Sequence, residues 1–325
     1  MVVRDFLRLS AHIQMLPVLE SGEETLVGGQ AVMEGVMMRS PHSYCVAVRK
    51  PSGEIVVEQQ ALAKVSEKYP LFRLPVLRGL GTLGQAMWLG LRALRFSANA
   101  ALAEETTEQP GKKIPSWVMA ANLAFSLLFF LFLYKFVPLL LATEIGRHVS
   151  ALGSRFAINM VDGLIRITIF LVFLALMSRM KDIRRVFEYH GAEHKVVFNY
   201  ESGQPVNVEN AQKFVTWHPR CGTSFLLVVM VLSMLVYALL PFDGFAAKLL
   251  GRIALLPVVA GLSYELIRFA AKRRGGLMAM LTAPGLWLQR ITTKPPSDEQ
   301  AAIAIHALEG AMALEAKQGG ELVIA

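Results

Sequence analysis

The sequence predicts an α-helical polytopic membrane protein, with about four transmembrane helices and a small cytosolic α+β portion containing a β-hairpin. Three observations predict it. Hydrophobic residues fill 54% of the 325 positions and charged residues only 18%, more apolar than soluble domains usually are. The apolar residues gather in long runs separated by ordinary polar sequence, the pattern of spans joined to soluble parts. Finally, the Lys and Arg residues behind the net charge of +8 cluster beside those runs. That placement favours anionic lipid over nucleic acid as the charge partner. No nucleic-acid motif is present, so no nucleic-acid partner is expected.

Residues 1–27 read as a polar lead-in without a cleavable signal, because the apolar runs before residue 75 are short and interrupted. Residues 28–116 are expected to form a cytosolic hairpin and interfacial helices. Within them, Val27–Pro41 is rich in Gly and Met and reads as a loop. The β-prone segments Ser43–Arg49 and Glu54–Gln60 flank Pro51-Ser52-Gly53, which is turn chemistry. Residues 75–102 carry Arg78, Arg92 and Arg95 among apolar residues and glycines, which suggests a pair of amphipathic helices on the membrane surface, the alternative being a re-entrant segment or fifth span.

Residues 117–180 hold the first two spans, about Trp117–Leu141 and Asn159–Met180. Residues 224–271 hold the other two, about Ser224–Leu240 and Leu249–Ala271. Each is near the roughly 20 apolar residues that a bilayer core requires. Lys112 and Lys113 precede the first span; Arg179, Lys181, Arg184 and Arg185 follow the second; Lys272, Arg273 and Arg274 follow the fourth. By the positive-inside rule, both termini and the 181–223 loop face the cytosol of a bacterial inner membrane. Cys45 and Cys221 then lie in a reducing compartment, and no disulfide framework is expected. Residues 272–325 form a cytosolic C-terminal segment. In it, 283–293 is an interfacial stretch anchored by Trp287, and 297–316 is an amphipathic helix capped at Ser297.

The sharpest chemical signal is Tyr189-His190-Gly191-Ala192-Glu193-His194-Lys195. On a helix, His190 and His194 share one face, and two imidazoles so placed can hold a divalent metal, zinc first. Glu193 stands beside them as a candidate general base, in the H-x-x-E-H order of inverted zinc peptidases. The bland reading is a histidine pair hydrogen-bonded at the membrane surface.

A metal site needs a third ligand: the two histidines with Glu265 and a water would make an open catalytic site, and with His218 and Cys221 a closed structural one. Glu265, inside the fourth span, is one candidate; otherwise it pairs with Arg268, Arg166 or Arg252. His218 and Cys221, in Trp217-His218-Pro219-Arg220-Cys221, are the other, unless this is a plain turn. Gln30, Glu34 and Arg39 mark a substrate or partner loop, or else a packing segment against the hairpin.

The blocks GGQAVMEGVMMRSP, YHGAEHK, HPRCGTSFL, GRIALLPVVAGLSYELIR and APGLWLQRITT stand in this order. In them the chain resembles the YqhQ-like family of bacterial membrane proteins, over about residues 27–310. The resemblance implies a metal-dependent enzyme without assigning a substrate.

These readings favour a metal-dependent membrane enzyme, a hydrolase at the cytosolic membrane face. Its partners would be the lipid bilayer and a lipid or membrane-protein substrate. The alternative is a non-catalytic factor that binds or assists other membrane proteins. A third reading is a homo-oligomeric transporter with Asp162, Arg166, Arg252 and Glu265 along a polar path.

Overall fold

The computed structural model describes residues 27–63, 65–102, 116–218, 221–242, 244–272 and 276–317. The lead-in 1–26, Pro219, Arg220, Asp243, Arg273 and Arg274 lie outside the described residues.

The chain begins with a four-stranded antiparallel sheet in the order β1 (Gly28–Val32), β2 (Gly35–Arg39), β3 (Ser43–Arg49) and β4 (Ile55–Ala61). The hairpin expected at residues 43–60 is β3–β4, with Arg49 opposite Ile55 and Gly53 in the left-handed region of its turn. The Gly/Met segment is not a loop. It is a second hairpin, β1–β2, in which Val32 pairs with Gly35 and Glu34 takes φ 54 in the turn.

Its strand character is hidden in the sequence because both faces of the sheet are covered. Val36, Met38, Cys45 and Ala47 point to one core, and Val32, Met37, Tyr44, Val46 and Val48 to the other. A strand buried on both sides shows no apolar/polar alternation. Met37 and Met38 of β2 are fully buried, whereas Met33, in the β1–β2 turn, is exposed.

One face is covered by α1 (Leu77–Leu102) through Leu89, Ala93 and Ala100. It is one 26-residue helix rather than the expected pair. The other face meets two helices. One is α4 (Lys181–Glu201), which carries the histidine motif. The other is α10 (Asp298–Lys317). The expected cap at Ser297 forms a reciprocal box: its Oγ accepts from Gln300 N at 3.2 Å, and Gln300 Oε1 accepts from Ser297 N at 2.9 Å. Ala301, Ile303, Ala304, Ala307, Leu308 and Ala311 are buried, so α10 is a core helix rather than a surface one.

The remaining long helices form an apolar bundle. α2 runs from Ser116–Leu131 through a π-helical turn at Phe132–Phe136 into Val137–His148. α3 is Arg155–Met177. After α4 comes the short α5 (Val208–Gln212), then α6 (Gly222–Leu239). Segments Ala121–His148, Arg155–Met177 and Gly222–Leu239 each reach mean hydropathy 2.2 and are long enough to cross a membrane.

The bundle is apolar outside and polar within. Phe125, Leu176 and Leu239 are 68%, 62% and 83% exposed, whereas Asp162 and Arg166 are 0% and 2%. Exposed large apolar side chains around buried ionic groups reverse the usual inside–outside pattern of a globular domain. The expected fourth span is not one helix. It is α7 (Phe245–Ala254) and α8 (Leu256–Lys272), bent by 50°. Pro257, in the first turn of α8, lacks the N–H that would continue α7. Finally, α9 (Gly276–Thr292) packs on α6 and leads into α10.

Candidate metal centre

α4 presents His190 and His194 one turn apart, with ring centroids 4.4 Å apart. Gly191 between them lets the helix reach the chain after α9. A Cβ there would lie 2.0 Å from the Lys294 carbonyl oxygen, and Lys294 N donates to Phe187 O at 2.8 Å. This contact brings the end of α9 to the histidines. His190 Nδ1 donates to Thr292 O at 2.8 Å, and His194 Nδ1 donates to Thr216 O. A carbonyl can only accept, so each Nδ1 carries the proton and each Nε2 keeps a free lone pair.

Both Nε2 atoms face Cys221, the N-cap of α6. His190 Nε2 is 3.2 Å from Cys221 Sγ. The three donor atoms lie within 4.8 Å of one another. Tetrahedral zinc, with legs of about 2.0 Å to nitrogen and 2.3 Å to sulfur, needs donors roughly 3.5 Å apart, so the set fits. The sulfur also accepts from Thr223 N at 3.5 Å at the start of α6.

His194 is buried, and that burial pushes its pKa down to about 4. It is therefore neutral at pH 7, as a ligand must be. His190 and Cys221 are partly exposed, whereas His194 is buried.

Glu193 lies beside this set without belonging to it, with Oε2 3.4 Å from His194 Nε2. Gly29 of β1 packs against it; a Cβ at 29 would stand 2.6 Å from Glu193 Cγ. Of the three glycines in the first sequence block, only Gly29 meets Glu193; Gly35 packs on Ala47 and Val48 of β3.

The other sequence candidates lie elsewhere. His218 is buried near His194, ring centroids 5.6 Å apart. Its Nε2 instead faces Glu201 Oε2 at 3.4 Å, and it is not among the three converging donors. Burial lowers its pKa to about 4 as well. Glu265 is tied to the start of α1: Arg78 Nε donates to Oε1 at 2.7 Å, Arg78 Nη2 to Oε2, and Val76 N to Oε1. Its hydrogen-bonded partner is thus Arg78; of the three arginines that the sequence offered, only Arg268 adds a weaker coulombic attraction.

Gln30 donates to Ala86 O on α1 at 3.1 Å. Glu34 accepts from Arg185 and, at 3.3 Å, from Tyr189 Oη, which ties the β1–β2 turn to α4. Arg39 ends β2, partly buried, and makes no ion pair with a described residue; burial lowers its pKa. None of the three belongs to the converging donor set.

Sequence reasoning missed Gln289. Fully buried on α9, it accepts from His218 N at 2.7 Å and donates to His218 O and Ser224 Oγ. It thus clamps both sides of the segment that delivers Cys221. Its only signal was the block APGLWLQRITT.

The family described as "Protein of unknown function (DUF1385)" matches residues 74–314. The chain belongs to this family. A protein of Bacillus subtilis strain 168, named "Uncharacterized protein YqhQ", is 38% identical over 299 residues. The alignment covers 89% of this chain and 93% of the relative, so it takes in most of what lies before residue 74 as well. No solved structure matches the chain.

Proposed function

We propose that this protein is a metal-dependent membrane enzyme, a hydrolase with His190, His194 and Cys221 as metal ligands and Glu193 as general base. The observation that carries the reading is the orientation of the donors. Two imidazoles have their Nδ1 protons tied to backbone carbonyls, which leaves two Nε2 lone pairs and a thiol sulfur directed to one point. Second-shell bonds of this kind are the usual way a protein fixes metal-ligating histidines. Two nitrogens and a thiolate suit zinc, and three protein ligands leave a fourth position free.

When bound, the ion supplies a Lewis acid that lowers the pKa of a water to about 7. The chain's own residues do the rest. His190 and His194 hold neutral rings in place. Glu193, buried beside His194, is placed to accept a proton at Oε2 and return it to a leaving group.

Location at the cytosolic face of a bacterial inner membrane, with both termini inside, is part of this proposal. It is supported by the exposed Lys181 and Arg184 that open α4, next to the end of α3. Cys221 caps a helix long enough to cross the bilayer, which favours a lipid or membrane-protein substrate.

The test is metal analysis of the detergent-purified protein. About one zinc per chain is expected, lost in His190→Ala/His194→Ala and kept in Glu193→Gln. Absence of stoichiometric metal, together with unchanged thermal stability in the double variant, would overturn it.

A second reading is a non-catalytic membrane factor in which the same ion only staples α4 to α6. The deep burial of His194 and Glu193, 2% and 6% exposed, favours it. Complementation of a deletion strain separates the two. Glu193→Gln fails for the enzyme and succeeds for the staple.

A further inference from the structure

A second polar cluster lies inside the helical bundle, away from the histidines. Asp162 and Arg166 come from α3, Arg252 from the last turn of α7, and Ser233 and Tyr237 from α6. Lys135 comes from the π-helical turn of α2. All are at least 96% buried. Ser233 is eleven residues into α6, about 16 Å along its axis from Gly222 at 1.5 Å per residue. The cluster therefore sits deep in the bundle, toward the end opposite Cys221.

Its charges do not balance. Asp162 is the one carboxylate among these residues, and both of its oxygens are taken. Arg252 Nη1 donates to Oδ1 at 2.7 Å and Arg166 Nη2 donates to Oδ2. Arg252 Nη2 uses Asn159 Oδ1 at 2.6 Å, and Arg166 Nη1 uses Ser233 Oγ at 2.7 Å. Arg166 Nε is buried with no acceptor at all. Lys135 Nζ has one, Tyr237 Oη at 3.3 Å. The face of Tyr237 meets all three cations, at 5.1 to 5.5 Å.

Among the described residues, three cationic side chains thus share one carboxylate, and even a neutral Lys135 leaves two guanidiniums against it. Surplus positive charge in a bilayer interior is costly unless it is compensated. Two irregularities bring these groups together. A π-turn, a common feature of functional sites, carries Lys135, and the 50° break between α7 and α8 follows Arg252.

A small cavity beside the cluster is lined by Asn159, Tyr237, Phe242, Lys248 and Arg252. Its volume of about 10 Å³ has room for roughly one water. Lys248 at its rim adds a further positive charge.

We propose that this cluster binds a single small monovalent anion of halide size in the cavity that Arg252 and Lys248 line, beside the buried Arg166 and Lys135. The surplus charge of the described residues and the unpaired Arg166 N–H beside the cavity select an anion. The small cavity excludes a lipid headgroup or a larger organic acid. The site is separate from the metal centre and does not depend on it.

The test is thermal unfolding of the full-length protein in detergent, comparing sodium chloride and sodium bromide with sodium gluconate at equal ionic strength. Both halides are expected to raise the midpoint by several degrees, saturably in the millimolar range. Arg166→Gln should abolish the dependence. Asp162→Asn should tighten it by about tenfold, because the competing carboxylate is gone. Should either variant fail to fold, Lys248→Gln, at the rim, is expected to raise the half-saturating halide concentration several-fold. Equal midpoints for the wild type in halide and gluconate overturn the proposal. So does a halide response left unchanged in the Arg166 or Lys248 variant, which marks a general salt effect. A phosphate or acetate response larger than the halide response overturns the size assignment and with it the proposal.

Discussion

The two buried polar clusters occupy opposite ends of the same bundle and are built in opposite ways. At one end, His190, His194 and Cys221 turn lone pairs toward a common point, with both imidazole protons spent on carbonyls. At the other, Arg166, Arg252 and Lys135 turn N–H groups toward one carboxylate, with positive charge to spare. The first is a surplus of acceptors and suits a cation. The second is a surplus of donors and suits an anion. Burial alone does not distinguish them; what separates them is which side of the hydrogen-bond account is left open.

The comparison breaks most clearly at the metal ligands. His194→Ala or Cys221→Ser removes one of three donors, and zinc affinity should fall by at least about 100-fold, beyond the roughly 10–100-fold typical of second-shell changes. Zinc titration against a chromophoric chelator measures it, and an unchanged affinity would mean that the donors do not act together.

The next effect is at the other end. Asp162→Asn leaves guanidiniums without their carboxylate and should cost about 3–5 kcal/mol of stability, as breaking a buried pair does. Chemical denaturation in mixed micelles reads it out, and zinc content should not change. A simultaneous loss of zinc would show that the two clusters are not independent.

Smaller still is Gln289→Ala, which frees the His218 backbone and Ser224. It should lose about 1–3 kcal/mol and weaken zinc roughly tenfold. Gly29→Ala should displace Glu193 at a cost of about 1–3 kcal/mol while zinc stays bound, which equilibrium denaturation with parallel metal analysis would detect. Ser297→Ala is the control. It removes half of the cap of α10 and should cost about 1 kcal/mol without altering either cluster.

How much of this was legible depended on the range of the interaction. The H-x-x-E-H spacing places two imidazoles on one helix face wherever that helix goes, so His190 and His194 stood out. The cap at Ser297 was legible for the same reason, since its partner Gln300 is three residues away. Cys221 was one option among several, because 27 residues separate it from His194. Glu265 was drawn toward the metal because its partner Arg78 lies 187 residues away and gives no local sign of the pairing. The β1–β2 hairpin was hidden for another reason: burial on both faces erased its alternation.

By itself the sequence determined what one-dimensional physics can determine. Runs of apolar residues set which helices can cross a membrane, helical period set the histidine pair, and turn and cap chemistry set where elements start. The tertiary structure alone decided which distant groups meet: Cys221 with His190, Gly29 with Glu193, Arg78 with Glu265, and Arg252 with Asp162. It also decided that the fourth apolar segment is bent after Ala254. The physical reason is that a hydrogen bond or ion pair depends on separation in space, and composition and periodicity carry none of that information between elements.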